Sequence, residues 1–295
     1  MSVVTTELDS AAEHARICAL ASRGQRDLQN VAAAYPAILP DPPVDPSMLG
    51  AVAMSTAFIA PWCTAAQLRT ANRTSLWITA EDWEIDYRAT SATEVADVVA
   101  RCTAVAEGAA PDDGDQLGLF LARIRDDLAT VDAFAARHPL WSEEVRRVLA
   151  ADAREWHWKA DGVRPTVEDY LANSDGFGAT FVNVSHWLAT GDPDTLAHLD
   201  ELIRASRQAQ EIIRLVNDLA SHERDARSGD LNILSLGLDT DDVRKLTAER
   251  MTDCRALLAE LSRRCPRQAV YLAREIGYTS GFYRQTDFWG HVEQR

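Results

Sequence analysis

The segment from Arg214 to Asp225 reads Arg-Leu-Val-Asn-Asp-Leu-Ala-Ser-His-Glu-Arg-Asp and has helical periodicity. Asn217, Ser221 and Asp225 recur every four residues. On a helix, that spacing lines an amide oxygen, a hydroxyl and a carboxylate along one stripe spanning roughly 12 Å. All three are hard oxygen donors. Magnesium prefers oxygen donors, keeps several waters, and is commonly held by one or two carboxylates together with substrate phosphates. Arg214 and Arg224 flank the stripe, either as phosphate contacts or as ordinary helix ion-pair partners. Asp218 and Glu223 are expected to point elsewhere, as surface charges.

A second acidic segment lies upstream. Between Trp77 and Tyr87 the chain carries Glu81, Asp82, Glu84 and Asp86 within six residues. An acid cluster of this kind is usually a solvated helix face. Asp82 and Asp86, however, are four apart, about 40° around a helix axis and roughly one turn along it. Like charges in that register oppose each other unless a cation lies between them. The neighbours Trp77, Ile78, Trp83 and Ile85 are more apolar than a solvated face requires, so a metal-binding face stays open beside the solvated one.

The elements that must carry these segments read as helices. From Met48 onward the chain is rich in Ala, Leu, Arg and Glu, with apolar residues at three and four spacing. Breaks fall at Ala109–Gly114, His138–Pro139, Asp161–Pro165, Gly191–Pro193, Ser228–Asp230 and Gly237–Asp242. No alternating strand pattern appears, so the expected fold class is all-α, about ten helices in a single bundle. Residues 1–47 are expected to form an N-terminal helical segment and a proline-rich strap from Pro36 to Pro46, and residues 48–295 the helical domain. At 295 residues, with 46% hydrophobic and 25% charged side chains, the chain can bury a sizeable core. A net charge of −15 argues against nucleic acid or an anionic membrane as partners. Five scattered cysteines without a CxxC pair suit a reducing cytoplasm. The N-terminus lacks signal-peptide character, and a cytoplasmic protein that does not insert into membranes is expected.

The stripe resembles the second metal motif of class I terpene synthases, Asn-Asp-x-x-Ser-x-x-x-Glu, with Asp225 where the family usually has Glu. The upstream segment is similar to that family's aspartate-rich motif, with Asp82 and Asp86 as its first and last acids and Trp83 in place of the second. Both motifs occur in the family's order, on separate helices. The resemblance extends over Phe58–Trp62, Glu155–Trp158, Arg164–Leu171 and Gly176–Gly178. It implies the class I isoprenoid synthase bundle, a prenyl diphosphate substrate and three Mg2+ ions. It further implies metal contacts from Asp82, Asp86, Asn217, Ser221 and Asp225, diphosphate contacts from Arg214, Arg224 and Arg284, and a homodimer. Trp83, Phe177, Phe181, Tyr283 and Phe288 are the aromatic residues expected to contour the cavity. The family reading of Gly176–Gly178 is a helix break that opens into the active site. Many bacterial members carry a diphosphate-sensing arginine four residues after the position of Tyr170. Here that position is Ser174, which resembles small bacterial enzymes similar to kaurene synthases. A diterpene substrate is expected on that basis, either a copalyl-type labdadienyl diphosphate or linear geranylgeranyl diphosphate, with farnesyl diphosphate as the alternative. The pair Tyr283-Arg284 occupies the neighbourhood of a family Arg-Tyr pair in reversed order.

Asp239-Thr-Asp241-Asp242 spells the acid motif of class II cyclases, but its place after Gly237 and before Val243-Arg-Lys-Leu is that of a helix N-cap. The histidines show no HExxH spacing, and neither GxSxG nor a P-loop is present. A chain-elongating prenyltransferase, which resembles a pattern with two aspartate-rich motifs, is disfavoured by the Asn/Ser/Asp stripe. A non-catalytic helical bundle would leave both motifs as coincidence.

Overall fold

The computed structural model describes residues 3–40, 44–286 and 288. Over them run twelve α-helices. The first six are α1 (Val3–Ala34), α2 (Pro46–Ile59), α3 (Ala65–Asp82), α4 (Ala92–Ala106), α5 (Gln116–Ala129) and α6 (His138–Ala160). The rest are α7 (Val167–Ala172), α8 (Ala179–Thr190), α9 (Pro193–Ala197), α10 (Leu199–Ser228), α11 (Thr240–Leu261) and α12 (Pro266–Tyr283). No strand occurs among the described residues, and the all-α expectation holds. None of the helices described is long and apolar enough to cross a membrane.

Helix starts follow local chemistry. Thr64 and Gln67 form a reciprocal capping box at the start of α3. Asp45 caps α2 through Met48 N–H. Asp239 accepts from Asp242 N–H at 2.9 Å and so caps α11, which is the role its sequence context anticipated.

The core is laid down by helices that pair along their lengths: α3 on α8, α10 on α11 and α12, α4 on α6, and α2 on α1 and α12. Trp77 of α3 is fully buried and meets Phe181 of α8 edge-on, with ring centroids 5.8 Å apart and planes at 81°. Such a pair adds about 1 kcal/mol beyond the area it buries. The Trp77 indole N–H donates to Leu117 O at 3.2 Å, so this large ring is buried without an orphaned donor. The long helix α1 contributes Ile17, Leu20 and Leu28 to the same core. The strap after α1 is pinned at both ends. Ala37 N–H donates to Gln116 and Gln25 donates to Pro46 O; residues 41–43 of the strap lie outside the described residues.

One helix departs from the sequence expectation. α3 does not continue as an α-helix through the acidic segment but widens into a π-helical turn over Trp83–Arg88, closed by Ala89 N–H on Glu84 O at 3.0 Å. On the wider turn Ile85 is fully buried, Glu84 pairs with Arg88 at 2.6 Å, and Trp83 stacks on Tyr87 at 4.8 Å. Single π turns of this kind concentrate at functional sites.

Candidate active site

A cavity of about 340 Å³ opens between α2, α3, α6, α8, α10 and α12. Its apolar walls come from Val52, Ile59, Ile78, Val182 and Ile213 together with aromatic rings, and polar and acidic side chains share the lining. The two acidic segments meet on it: Asp82 and Asp86 from the end of α3 and the π turn, and Asn217, Asp218, Arg224 and Asp225 from the C-terminal half of α10. Residues 135 positions apart in sequence are thus brought to one wall, because α3 and α10 both pack against α8.

The electrostatics of these acids are those of negative charge without enough compensation. Burial, reinforced by the charges of Asp230 and Glu155, raises the Asp82 carboxyl to about 7, against the pull of Arg224 and Lys159. Burial and the neighbouring Asp82 push Asp86 well above the usual carboxylate range. Proximity of like charges in a partly dry site is what a bound cation relieves. Among the described residues no three acidic, His or Cys side chains converge closely enough to hold a metal unaided. The hard donors at hand therefore fit magnesium shared between one or two protein carboxylates and substrate phosphates.

Asp225 is the most tightly positioned of the acids. Ser221 Oγ donates to its Oδ2 at 2.5 Å, Asn232 Nδ2 donates to the same oxygen at 2.8 Å, and Arg224 lies 3.4 Å from Oδ1. α10 ends three residues later at Ser228, and the left-handed backbone of Gly229 after it (φ 78°) turns the chain so that Asn232 can reach back to Asp225 and to Asp218 O. Ser221 is 1% exposed and is not part of the cavity wall. Its hydroxyl hydrogen is engaged by Asp225, and the oxygen keeps its lone pairs.

Several sequence expectations need correction. Asp218 is not a surface charge: it is 3% exposed, lines the cavity, and accepts from the Tyr170 hydroxyl and from Ile233 N–H. Glu223 is exposed as anticipated. Phe181 does not contour the cavity, because its position on α8 turns it into the core between Trp77 and Trp141. Trp83 is likewise absent from the cavity wall, since the π turn stacks it on Tyr87. Arg284 is exposed just past the end of α12 and does not line the cavity. Phe177, Tyr283 and Phe288 do line it.

The region of the absent sensor arginine is occupied differently. Ser174 is buried, its hydroxyl donating to Leu171 O at 2.6 Å. Beside it the Arg214 guanidinium donates to Asn173 O at 3.0 Å and to Glu155 at 2.6 Å, and lies 3.8 Å over the Tyr170 ring. Arg214 is 5% exposed, so its charge is fixed at the cavity wall. Between Ser174 and α8, residues 174–177 form a 3-10 turn, and Gly178 adopts φ 68° to start α8. A Cβ there would collide with Ile78, and one at Gly176 would collide with the Asp152 carboxyl.

Sequence reasoning missed Glu155, Asp152, Asp230, Tyr271 and Glu275, all of which line the cavity. None sits in a dense acidic run. Periodicity on α12, where Tyr271, Glu275, Thr279 and Tyr283 recur every four residues, was the available signal.

Comparison with known proteins gives a consistent picture. The family model described as terpene synthase family 2, C-terminal metal binding, matches residues 75–256. The ent-pimara-9(11),15-diene synthase of Streptomyces sp. (strain KO-3988) is 28% identical over 272 residues, covering 90% of each chain. The fold is similar to that of 2-methylisoborneol synthase from Streptomyces coelicolor A3(2), solved with Mg2+ and 2-fluoroneryl diphosphate. The TM-score is 0.73 at 15% identity, over 90% of this chain and 91% of that one. Linalool/nerolidol synthase from Streptomyces clavuligerus, solved with 2-fluorogeranyl diphosphate, superposes with a TM-score of 0.69 at 18% identity, over 90% of this chain and 94% of the other. The family match spans both acidic segments of the cavity as well as the helices between them, and this chain belongs to the terpene synthase family as a class I enzyme acting on a prenyl diphosphate.

Proposed function

We propose that this enzyme is a magnesium-dependent diterpene cyclase that ionises a copalyl-type labdadienyl diphosphate or geranylgeranyl diphosphate and releases a cyclic diterpene and pyrophosphate. The observation that carries this reading is the placement of Asp82, Asp86, Asn217 and Asp225 on one cavity that also has an aliphatic and aromatic surface from Val52, Ile59, Ile78, Phe177, Val182 and Ile213. The diterpene assignment is supported by the likeness to ent-pimara-9(11),15-diene synthase over 90% of both chains. Farnesyl diphosphate is the alternative substrate.

Asp82, Asp86, Asn217, Ser221 and Asp225 would hold the metal, three ions in all, with the Ser221 hydroxyl and Asn232 donating to the Asp225 carboxylate. When bound, magnesium neutralises the charge that builds on the departing diphosphate. Arg224, beside Asp225, is placed to meet a phosphate oxygen. Arg214 adds a fixed positive charge to the same region, held in place by Glu155 and Tyr170. The aliphatic and aromatic part of the lining would keep water from the cation formed on ionisation. The faces of Phe177, Tyr283 and Phe288 stabilise positive charge by about 1–2 kcal/mol each where they are desolvated. A homodimer in the cytoplasm completes the proposal.

The test is incubation of purified protein and Mg2+ with farnesyl, geranylgeranyl and copalyl-type diphosphates, followed by gas chromatography with mass detection. A diterpene hydrocarbon or alcohol that disappears with chelator is expected. A product from farnesyl diphosphate alone overturns the diterpene assignment.

A further inference from the structure

The face of α12 that lines the cavity carries Tyr271, Glu275, Thr279 and Tyr283. Glu275 is a carboxyl on this otherwise neutral face, and it is 6% exposed. Asn183 Nδ2 donates to it, 3.1 and 3.0 Å from its two oxygens, and stands 2.9 Å from Ser206 Oγ. The Tyr271 hydroxyl donates to Asn183 Oδ1 at 2.8 Å, which fixes the amide with its NH2 toward the carboxyl. Burial raises Glu275 to about 8, opposed by the Asn183 bond and by no cationic side chain among the described residues. A buried carboxyl without a counter-ion costs more than an amide or an apolar side chain of the same shape. Packing alone does not call for one here.

Its depth in the cavity suggests its use. Asn183 sits level with Ser206 on α10, and Ser206 lies about 16 Å along that helix from Asn217. Pyrophosphate formed beside the metal-binding acids is thus remote from Glu275. A positive charge that has moved to the far end of a cyclising chain has this carboxyl as its neighbour. We propose that Glu275 is the base that ends the reaction there, taking a proton from the terminal cation, with Asn183 as its positioning residue.

This rests on the substrate reading above. In the step, the C–H bond next to the cationic carbon breaks, its electron pair becomes the π bond of the product alkene, and the proton joins a Glu275 oxygen. Cation and carboxylate are consumed together, leaving a neutral alkene and a carboxylic acid, which returns its proton to solvent as the product leaves. Burial keeps Glu275 largely protonated in the empty cavity at neutral pH, so its proton leaves to solvent before the substrate seals the site, and the carboxylate that then faces the cation is a stronger base than an exposed one.

The test measures pyrophosphate release and product identity separately in wild type, Glu275→Gln and Glu275→Asp, with Mg2+ and the three diphosphates named above. Folding is checked by thermal unfolding. In Glu275→Gln, release is expected to stay within about threefold of wild type while the wild-type alkene falls at least about tenfold, replaced by alcohols or by alkenes from earlier cations. Glu275→Asp should recover part of the wild-type alkene. An unchanged product spectrum in Glu275→Gln overturns the proposal, and so does loss of pyrophosphate release in the folded variant, because the base acts after ionisation. Should the Gln variant not fold, an unchanged product ratio in Glu275→Asp overturns it equally. Wild type that releases no pyrophosphate from any of the substrates overturns the substrate reading and this proposal with it, so the two failures are read from different proteins.

Discussion

The Tyr170 hydroxyl stands 3.0 Å from both carboxylate oxygens of Asp218, and the Arg214 guanidinium lies 3.8 Å over the same tyrosine ring. Burial raises Asp218 to about 7, with Arg214 and the Tyr170 bond opposing the rise. The next residue down the chain from Asn217 is therefore anchored by α7, from a position 48 residues earlier in the sequence.

Removing that anchor has a calculable effect. Tyr170→Phe deprives a buried carboxyl of its side-chain donor, a loss of about 1–3 kcal/mol. For a chain of this size that lowers the melting temperature by roughly 2–4 °C per kcal/mol. Calorimetry of the metal-free protein reads this directly, and an unchanged melting temperature would sink the idea that the bond stabilises the fold.

The metal assignment separates residues on one stripe by role. Asn217→Ala and Asp225→Asn should each lower kcat/KM by about 10²-fold or more, while Ser221→Ala, which removes a neutral hydroxyl and its bond to Asp225, should cost at least about tenfold. A binding readout accompanies turnover. Mg2+ with inorganic pyrophosphate should raise the wild-type melting temperature, by about 2.7 kcal/mol of stabilisation at a hundredfold excess over Kd. The rise should be absent in Asp225→Asn. Wild-type turnover in Asn217→Ala would remove that residue from the site.

The helical class, most of the breaks and the two acidic segments were legible because they are local. Four-residue spacing puts Asn217 and Asp225 on one face whatever the rest of the fold does, and Asp239 before a helical run is a cap wherever that helix lies. Side-chain destinations that depend on packing were not legible. Phe181 and Phe177 are both aromatic residues near the Gly176–Gly178 break, yet the αL turn at Gly178 sends one into the core and leaves the other on the cavity. Asp218 looked like a surface charge because its buried partner, Tyr170, is 48 residues away. The π turn over Trp83–Arg88 has no local sequence mark, and on it Trp83, stacked on Tyr87, stays off the cavity wall.

Gly178 joins backbone strain to the cavity wall. Its φ of 68° is a conformation that a side chain opposes, and an added Cβ would collide with Ile78. Gly178→Ala should therefore destabilise the protein by about 1–3 kcal/mol. Ile78→Ala in the same chain should recover the steric part but not the strain, giving a favourable coupling of about 0.5–1 kcal/mol in a double-mutant cycle. Additive effects in denaturant titrations would show that the two residues do not compete for this space.

Glu275 also makes a prediction about stability that is independent of turnover. Its carboxyl is raised from 4.5 to about 8 in the folded chain. Between those values the folded protein holds a proton that the unfolded chain has released, so stability falls as pH rises. The contribution is complete below about pH 4.5 and is lost by the time pH passes about 8, with a full swing of roughly 5 kcal/mol at most. Asp82, Asp218 and Glu81 shift in the same direction, so the wild-type slope alone does not isolate Glu275. The difference between wild type and Glu275→Gln does: the Gln variant should gain on wild type steadily from pH 5 to pH 8 in metal-free buffer. Parallel stability curves across that range would mean that the folded protein does not hold Glu275 away from water.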